Sequence, residues 1–168
     1  MSIFTGGLIC DKMRGQGEEA LHISTKCSVA VHCLIFIYEY GREKNVTSGL
    51  LALSTGVNAV TIRNILSALK KDGLVSVKPG RGGAALRCPL DEISLYRICA
   101  AIEPGIAEKL IGIHASPSAY CPVGRNIDRV LDCSYQKIQN DLCESLKKVT
   151  MKDMVAEHHR RLSASAGG

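Results

Sequence analysis

Two short helix-forming stretches, separated by a glycine and followed by a hairpin pattern, constrain the fold of this chain most. The first stretch opens at residues 46–48, carries three leucines and ends at Gly56. The second runs from a predicted cap at Asn58 to Gly73 and repeats apolar residues at helical spacing. Two helices joined by a tight glycine turn predict a helix-turn-helix.

A β-hairpin is predicted directly after the second helix. Residues 74–77 alternate like a strand, residues 78–83 are rich in turn-forming glycine and proline, and residues 84–86 return as a second strand. A hairpin in this position corresponds to the wing of a winged helix-turn-helix.

A long amphipathic helix is predicted near the C-terminus, because apolar residues recur every three to four positions for more than twenty residues. A lone protomer would leave much of this stripe uncovered, so we expect a homodimer. The stripe consists of Ile127, Leu131, Tyr135, Ile138, Leu142 and Leu146. The predicted fold class is mainly α with a small β-hairpin wing, a winged helix-turn-helix plus a long C-terminal dimerisation helix.

Five segments are expected along the chain. Residues 1–22 lack an apolar period and are predicted to be a disordered leader, and residues 161–168 a flexible tail. Residues 23–104 form the winged helix-turn-helix domain. A connector broken by glycine and proline, 105–125, leads to the dimerisation helix and a short terminal helix within 126–160.

Positive charge is concentrated in the predicted helix-turn-helix and wing. The whole chain carries a formal charge of +5, and residues 58–87 alone hold six lysines and arginines against the single acid Asp72. A local cationic excess favours a polyanion, because each cation that neutralises a phosphate releases a counterion. Charge alone is also compatible with an ordinary solvated face. We expect double-stranded DNA as the partner.

The candidate DNA-contacting residues lie on the outer face of the second helix and on the wing. Short polar and cationic side chains there reach base edges in the major groove, while glycines in the wing allow close approach to phosphates. The predicted set is Lys26, Asn58, Thr61, Arg63, Asn64, Ser67, Lys70, Lys78, Arg81 and Gly82.

Eight scattered cysteines, with no signal peptide before them, favour a reducing cytoplasm over a secreted disulfide scaffold. The apolar run 30–38 is too short to cross a bilayer. Two thiols are candidate redox sensors. Cys27 follows Lys26 near a predicted helix N-terminus, and Cys121 lies in the connector near Arg125.

Several of these motifs together resemble the Rrf-two family of bacterial winged-helix transcriptional regulators. They are STKCSVAVH (24–32), LKKDGLV (69–75), GRGG (80–83) and LDEISL (90–95), and CPVGRNI (121–127) further resembles the YwnA-like branch. The resemblance covers about residues 23–155. It implies a homodimer that represses transcription at an inverted-repeat operator, and the YwnA-like branch generally lacks a metal cofactor. We expect the protein to act in the cytoplasm, at the nucleoid.

Some members of this family carry an iron–sulfur cluster on three closely spaced cysteines before the dimerisation helix. Here that segment offers only Cys121 and His114, while Cys133 and Cys143 lie ten residues apart on the long helix. Three thiolates at these positions would not grip one cluster without unwinding the helix. We therefore predict no metal site and no cofactor, and an iron–sulfur-sensing regulator remains an alternative.

A catalytic role is not expected. His158 and His159 lie near the C-terminal tail, and Cys121 and His114 are separated by seven residues of irregular connector. No catalytic residue is predicted, and the chain is expected not to be an enzyme. The alternative from a different class is a protein-interaction module that retains the winged-helix shape.

Overall fold

The computed structural model describes residues 24–78, 83–106, 117–118 and 120–165. The predicted leader 1–22, the wing-tip residues Arg81 and Gly82, most of the connector and the last three residues of the predicted tail lie outside the described residues.

The described chain is helical apart from one two-stranded antiparallel sheet, in agreement with the predicted fold class. A single 3-10 turn, Leu90–Glu92, precedes the fourth helix. The helices and strands are α1 Thr25–Tyr40, α2 Ser48–Thr55, α3 Ala59–Lys71, β1 Val75–Lys78, β2 Gly83–Leu86, α4 Leu95–Ile102, α5 Ile127–Lys148 and α6 Met151–Ser165.

Polar side chains cap the first four helices and fix where they begin. Ser24 accepts a hydrogen bond from the Lys26 amide at 3.2 Å, and Thr47 Oγ1 accepts one from the Leu50 amide at 3.2 Å. Asn58 Oδ1 accepts a bond of 2.8 Å at α3, and Ser94 Oγ one of 3.2 Å at α4. Each cap satisfies an amide that lacks a partner inside its helix.

The turn between α2 and α3 has the geometry of a helix-turn-helix. Gly56 ends α2 with a φ of 69°, a backbone conformation that favours glycine. The two helices bend by 113° at this turn, within the range of the motif. Among the described residues, no single helix is long and apolar enough to span a membrane, and only this bent pair passes the same test of length and composition.

The wing is tied to the loop that precedes α2. Strands β1 and β2 pair in a register that places Val75 opposite Leu86 and Lys78 opposite Gly83. The Ala84 amide then donates a hydrogen bond of 2.9 Å to the carbonyl of Val46, which is itself buried. This bond ties the start of β2 to the residue that precedes the Thr47 cap of α2.

One hydrophobic core unites α1, the helix-turn-helix, the wing and α6. Its fully buried side chains include Leu34, Leu51, Ile62, Leu69 and Met151. A second, smaller cluster lies between α1, α4 and α5 and consists of Cys27, Cys99, Ile106 and Cys143.

The C-terminal helices are joined to the winged-helix domain by a short backbone bridge. Ser94 and Thr150 form an isolated antiparallel bridge, in which the Leu95 amide bonds to the Val149 carbonyl and the Met151 amide to the Ile93 carbonyl, both at 2.8 Å. The C-terminal end of α5 is therefore joined to the start of α4.

Helix α6 extends further than the sequence predicted. The tail expected from residue 161 is helical as far as Ser165. Arg160 and Arg161 both donate to the Glu157 carboxylate, and the hydroxyl of Ser163 bonds to the His159 carbonyl one turn earlier. Such contacts at spacings of three and four residues support a helix whose outer end is exposed.

Candidate nucleic-acid interface

Helix α3 separates an apolar face from a polar one. Ile62, Ile65, Leu66 and Leu69 are buried. The opposite face presents exposed side chains of the kind that reach bases and phosphates. Four of the predicted residues on this face, Arg63, Asn64, Ser67 and Lys70, are exposed, and Thr61 is half-buried.

A groove of about 350 Å³ lies between α3, the wing and the start of α2. Because α3 is the second helix of the helix-turn-helix, we call it the recognition helix. From α3 it receives Arg63, Ser67 and Lys70, and from β1 it receives Lys78. Four predicted DNA-binding residues, which come from two separate elements, thus line one surface. Three cationic side chains in one groove produce a local potential that attracts phosphate.

A second groove, of about 260 Å³, places the N-terminus of α1 beside the recognition helix. Lys26 lies here with Thr61 and Asn64. This arrangement explains how a residue far from α3 in sequence joins the same cationic surface.

The start of α2 is a contributor that the sequence reasoning missed. Thr47 and Ser48 line the groove next to Arg63 and Lys78. A helix N-terminus carries unpaired amides and a partial positive charge, which suits a phosphate. The signal was present in the capping threonine, but only the fold reveals that this end of α2 faces the groove.

Asn58 has a structural role as well as its predicted contact with DNA, because its Oδ1 is engaged by the Val60 amide. For Lys78 the structure describes the position at the end of β1. The predicted contacts of Arg81 and Gly82 fall at the wing tip and remain predictions.

Cys27, the first of the two candidate redox sensors, is buried. Its side chain is only 1% exposed, because it shares the inward face of α1 with Ala30, Leu34 and Ile37. Burial disfavours the thiolate and shields it from solvent. Cys27 lies at helical spacing from these apolar residues, which is typical of a buried position. The prediction of a reactive thiol relied instead on the neighbouring cation of Lys26.

Cys121 is, in contrast, exposed. Hydrogen bonds from the backbone amides of Gly124 and Val123 lower the pKa of its thiol. A thiolate that is accessible and stabilised in this way has the character of a reactive cysteine.

The predicted dimer stripe divides into two parts. Leu146 is buried within its own protomer, and Leu142 packs against the second cluster, which includes Cys99 of α4. Leu146 is therefore corrected from a partner-facing residue to a core residue. Ile138 is 53% exposed, and nearby Val130 adds further exposed apolar surface. The remaining predicted positions, Ile127, Leu131 and Tyr135, are half-buried.

The bent helix pair, the cationic outer face of α3 and the adjoining hairpin define a winged-helix DNA-binding transcriptional regulator. The profile of the Rrf2 family, described as an iron-dependent transcriptional regulator, matches residues 23–157. The chain belongs to the Rrf2 family, and the resemblance found in the sequence is confirmed.

Relatives and solved structures agree with this assignment. YwnA of Bacillus subtilis (strain 168), named as an HTH-type transcriptional regulator, is 29% identical over 133 residues, which cover 79% of this chain and 96% of YwnA. A transcriptional regulator from Lactobacillus plantarum has a TM-score of 0.63 at 26% identity, covering 82% of this chain and 97% of that one. CymR, the global cysteine regulator of B. subtilis, shares the fold with a TM-score of 0.60 at 21% identity, covering 80% of this chain and 96% of CymR.

The described residues do not fit the iron that the family description names. Among them, no three side chains of histidine, cysteine, aspartate or glutamate lie together in a way that holds a metal ion. Cys121 and Cys133 are exposed, whereas Cys143 is buried against α4. His114 lies outside the described residues. The absence of a cofactor stays a prediction.

Proposed function

We propose that this protein is a homodimeric repressor, active without a cofactor, that binds an inverted-repeat operator in double-stranded DNA. The observation that carries the proposal is the groove in which Arg63, Ser67 and Lys70 of α3 meet Lys78 of the wing. A recognition helix beside a cationic hairpin allows one protomer to contact the major groove and the flanking phosphates at the same time.

The proposed division of labour follows from position on the surface. Arg63, Asn64 and Ser67 lie on the exposed face of α3 and read base edges. Lys26, Lys70 and Lys78 flank that face and neutralise phosphates. Two such protomers related by a twofold axis read half-sites about one helical turn apart, roughly 34–36 Å, or a little more.

The apolar surface of α5 supports the homodimer. Val130 and Ile138 are both more than half exposed in the protomer. Large apolar side chains exposed along one helix mark an interaction surface. In the proposed dimer the two long helices cross and cover this surface, and occupation of the operator denies it to the transcription machinery. We place this action in the cytoplasm, at the nucleoid.

We also propose that oxidation of exposed Cys121 modulates the regulator. The thiol precedes α5 by a few residues. A bulky or charged adduct at this position alters the approach to the dimer helix.

The first experiment is selection from a pool of random DNA duplexes with the reduced, full-length protein at two salt concentrations. An enriched palindrome supports the repressor. Weak, salt-sensitive binding without any enriched sequence contradicts it and favours the protein-interaction alternative. Sedimentation of the DNA complex gives the number of protomers per duplex, and one protomer per palindrome contradicts the dimer.

A further inference from the structure

Three cysteines that are distant in sequence meet in the second hydrophobic cluster. Cys27 comes from α1, Cys99 from α4 and Cys143 from α5. Cys27 and Cys99 are 1% and 0% exposed, and Cys143 is 8% exposed. This cluster lies where the helix-turn-helix domain meets the base of the dimer helix, so it joins the two functional parts of the protein.

Within the cluster, Cys27 and Cys99 face each other. The interaction between their two thiols raises the pKa of Cys27 and lowers that of Cys99. Nearby Glu103 opposes the loss of a proton from either thiol. The cluster thus brings two thiols from different helices together, and the proton is held more tightly by Cys27 than by Cys99.

We propose that Cys27 and Cys99 form a reversible disulfide that links α1 to α4 when the cell meets a hydroperoxide. The cluster is apolar, so the uncharged disulfide is suited to it, whereas a buried pair of thiolates is not. Small, uncharged oxidants reach such a site through local opening of the helices, and we therefore expect oxidation to be slower than at exposed Cys121.

The chemistry is balanced by the two thiols and one hydroperoxide. Cys99 loses its proton, and its sulfur attacks the peroxide, which breaks the O–O bond, forms a sulfenic acid and releases an alkoxide that takes up that proton as an alcohol. The sulfur of Cys27 then attacks the Cys99 sulfur. The S–S bond forms as the S–O bond breaks, and hydroxide leaves with the Cys27 proton as water.

Formation of this disulfide would change the position of a residue on the proposed DNA-binding surface. A disulfide holds its two sulfurs about 2.0 Å apart, closer than two sulfurs that are only hydrogen-bonded. Lys26 precedes Cys27 in the first turn of α1 and lies beside Thr61 and Asn64 of the recognition helix. Drawing Cys27 towards α4 therefore displaces Lys26 relative to α3. This effect on DNA rests on the proposed function, whereas formation of the disulfide does not.

The test uses full-length Cys121→Ser protein, in which the exposed candidate thiol is removed. The reduced protein is treated with hydrogen peroxide, free thiols are alkylated, and peptides are mapped by mass spectrometry before and after reduction. We expect a peptide pair linked through Cys27 and Cys99 that a dithiol reductant cleaves. Free Cys27 and Cys99 after treatment, or a link from either one to Cys143, overturns the proposal.

The second measurement is binding to the selected operator under the same conditions. We expect oxidation to weaken binding by roughly 5- to 150-fold, the usual range for coupling between two sites, with recovery on reduction. Cys27→Ser and Cys99→Ser should each abolish this change, and Cys133→Ser, at an exposed site, should leave it intact. If oxidation weakened operator binding of the Cys27→Ser protein as much as that of its parent, the proposed role of the Cys27–Cys99 disulfide would be contradicted. Failure of the reduced protein to select any operator refutes the repressor and leaves the peptide map as the test of the disulfide.

Discussion

The guanidinium group of Arg97 on α4 forms a salt bridge with Asp72, the C-cap residue of α3. Its Nε donates to the Asp72 carboxylate at 2.8 Å, and its Nη2 donates to the Asp72 backbone carbonyl at 3.0 Å. A third contact, from Nη1 to the sulfur of Cys88, reaches the end of the wing at 3.7 Å. One guanidinium thus holds α3, α4 and the wing in a fixed relation.

Replacing Arg97 with glutamine should lower the free energy of unfolding by about 1 kcal/mol. The pair is roughly one-third exposed, so solvent screening limits its charge contribution to about 0.2–1 kcal/mol, and the bond to the carbonyl adds the remainder. Urea unfolding measures the change. Arg97→Lys retains the charge but not the planar fork, so full recovery in that variant would contradict the geometric explanation.

Replacing Arg63 and replacing Lys78 should impair DNA binding in different ways. Arg63→Ala should reduce discrimination between the operator and a base-pair variant by about 1–3 kcal/mol, because a base contact is lost. Lys78→Ala should weaken all duplexes alike and reduce the salt slope by about one. Titrations of both variants on operator and random DNA measure this. If Arg63→Ala lost the same amount of affinity for operator and for random DNA, Arg63 would have no role in base recognition.

The base of the wing should not tolerate a side chain at Gly83. Its φ is 57°, and a Cβ there would collide with Asn45 Oδ1 and approach the amide and carbonyl of Val46 to 2.8 and 2.9 Å. Gly83→Ala should therefore destabilise the protein by more than the roughly 1–2 kcal/mol of a left-handed backbone alone. Gly56→Ala is the matched control, since its φ is 69° and the space around it is open. Equal unfolding midpoints for the two variants would show that the collision is relieved elsewhere.

The start of α6 should depend on pH through Asp153. Its carboxylate accepts bonds from the Thr150 hydroxyl at 2.7 Å and the Thr150 amide at 2.9 Å, which lower the pKa of Asp153 below its ordinary 3.8. Because the folded-state pKa is depressed, this contribution is present above about pH 3.8 and is lost as the pH falls through the folded value. The difference in urea midpoint between the wild type and Asp153→Ala should therefore shrink on acidification. A difference that is independent of pH would assign the effect to packing instead.

Charge on the exposed part of α5 should disrupt the proposed dimer. Ile138 is 53% exposed in the protomer, so Ile138→Asp leaves the fold intact but places a carboxylate in the interface, where it would lack a partner. Sedimentation should show a shift from dimer to monomer. Asn140→Asp adds the same charge on a different face of the helix and should remain dimeric. Dissociation in both variants would indicate simple charge repulsion, and in neither would place the interface elsewhere.

Features encoded by neighbouring residues were predicted well from the sequence. The cap Asn58 and Gly56, the glycine that ends α2, each act within one turn of their own position. The buried face of α3 follows from the spacing of its own apolar residues. Local signals of this kind give the elements of a winged helix in order, together with the polar, exposed face of α3.

Relations between distant residues were not predictable in the same way. The bond between Arg97 and Asp72 spans 25 residues, and the contact between Cys27 and Cys99 joins two helices with the entire helix-turn-helix and wing between them. Leu146 fits the periodic stripe equally well whether it faces its own core or a partner. Only its burial in the folded protomer, where it is 6% exposed, assigns it to the core.

The backbone bridge between Ser94 and Thr150 makes α5 a lever with a fixed hinge. Its 22 residues extend for about 33 Å. A tilt of about 6° at the hinge moves the far end by about 3.4 Å, the rise of one base pair along the duplex. In the proposed dimer, built on two such helices, the rigidity of this joint would set the spacing between the two half-sites and so the length of operator that fits.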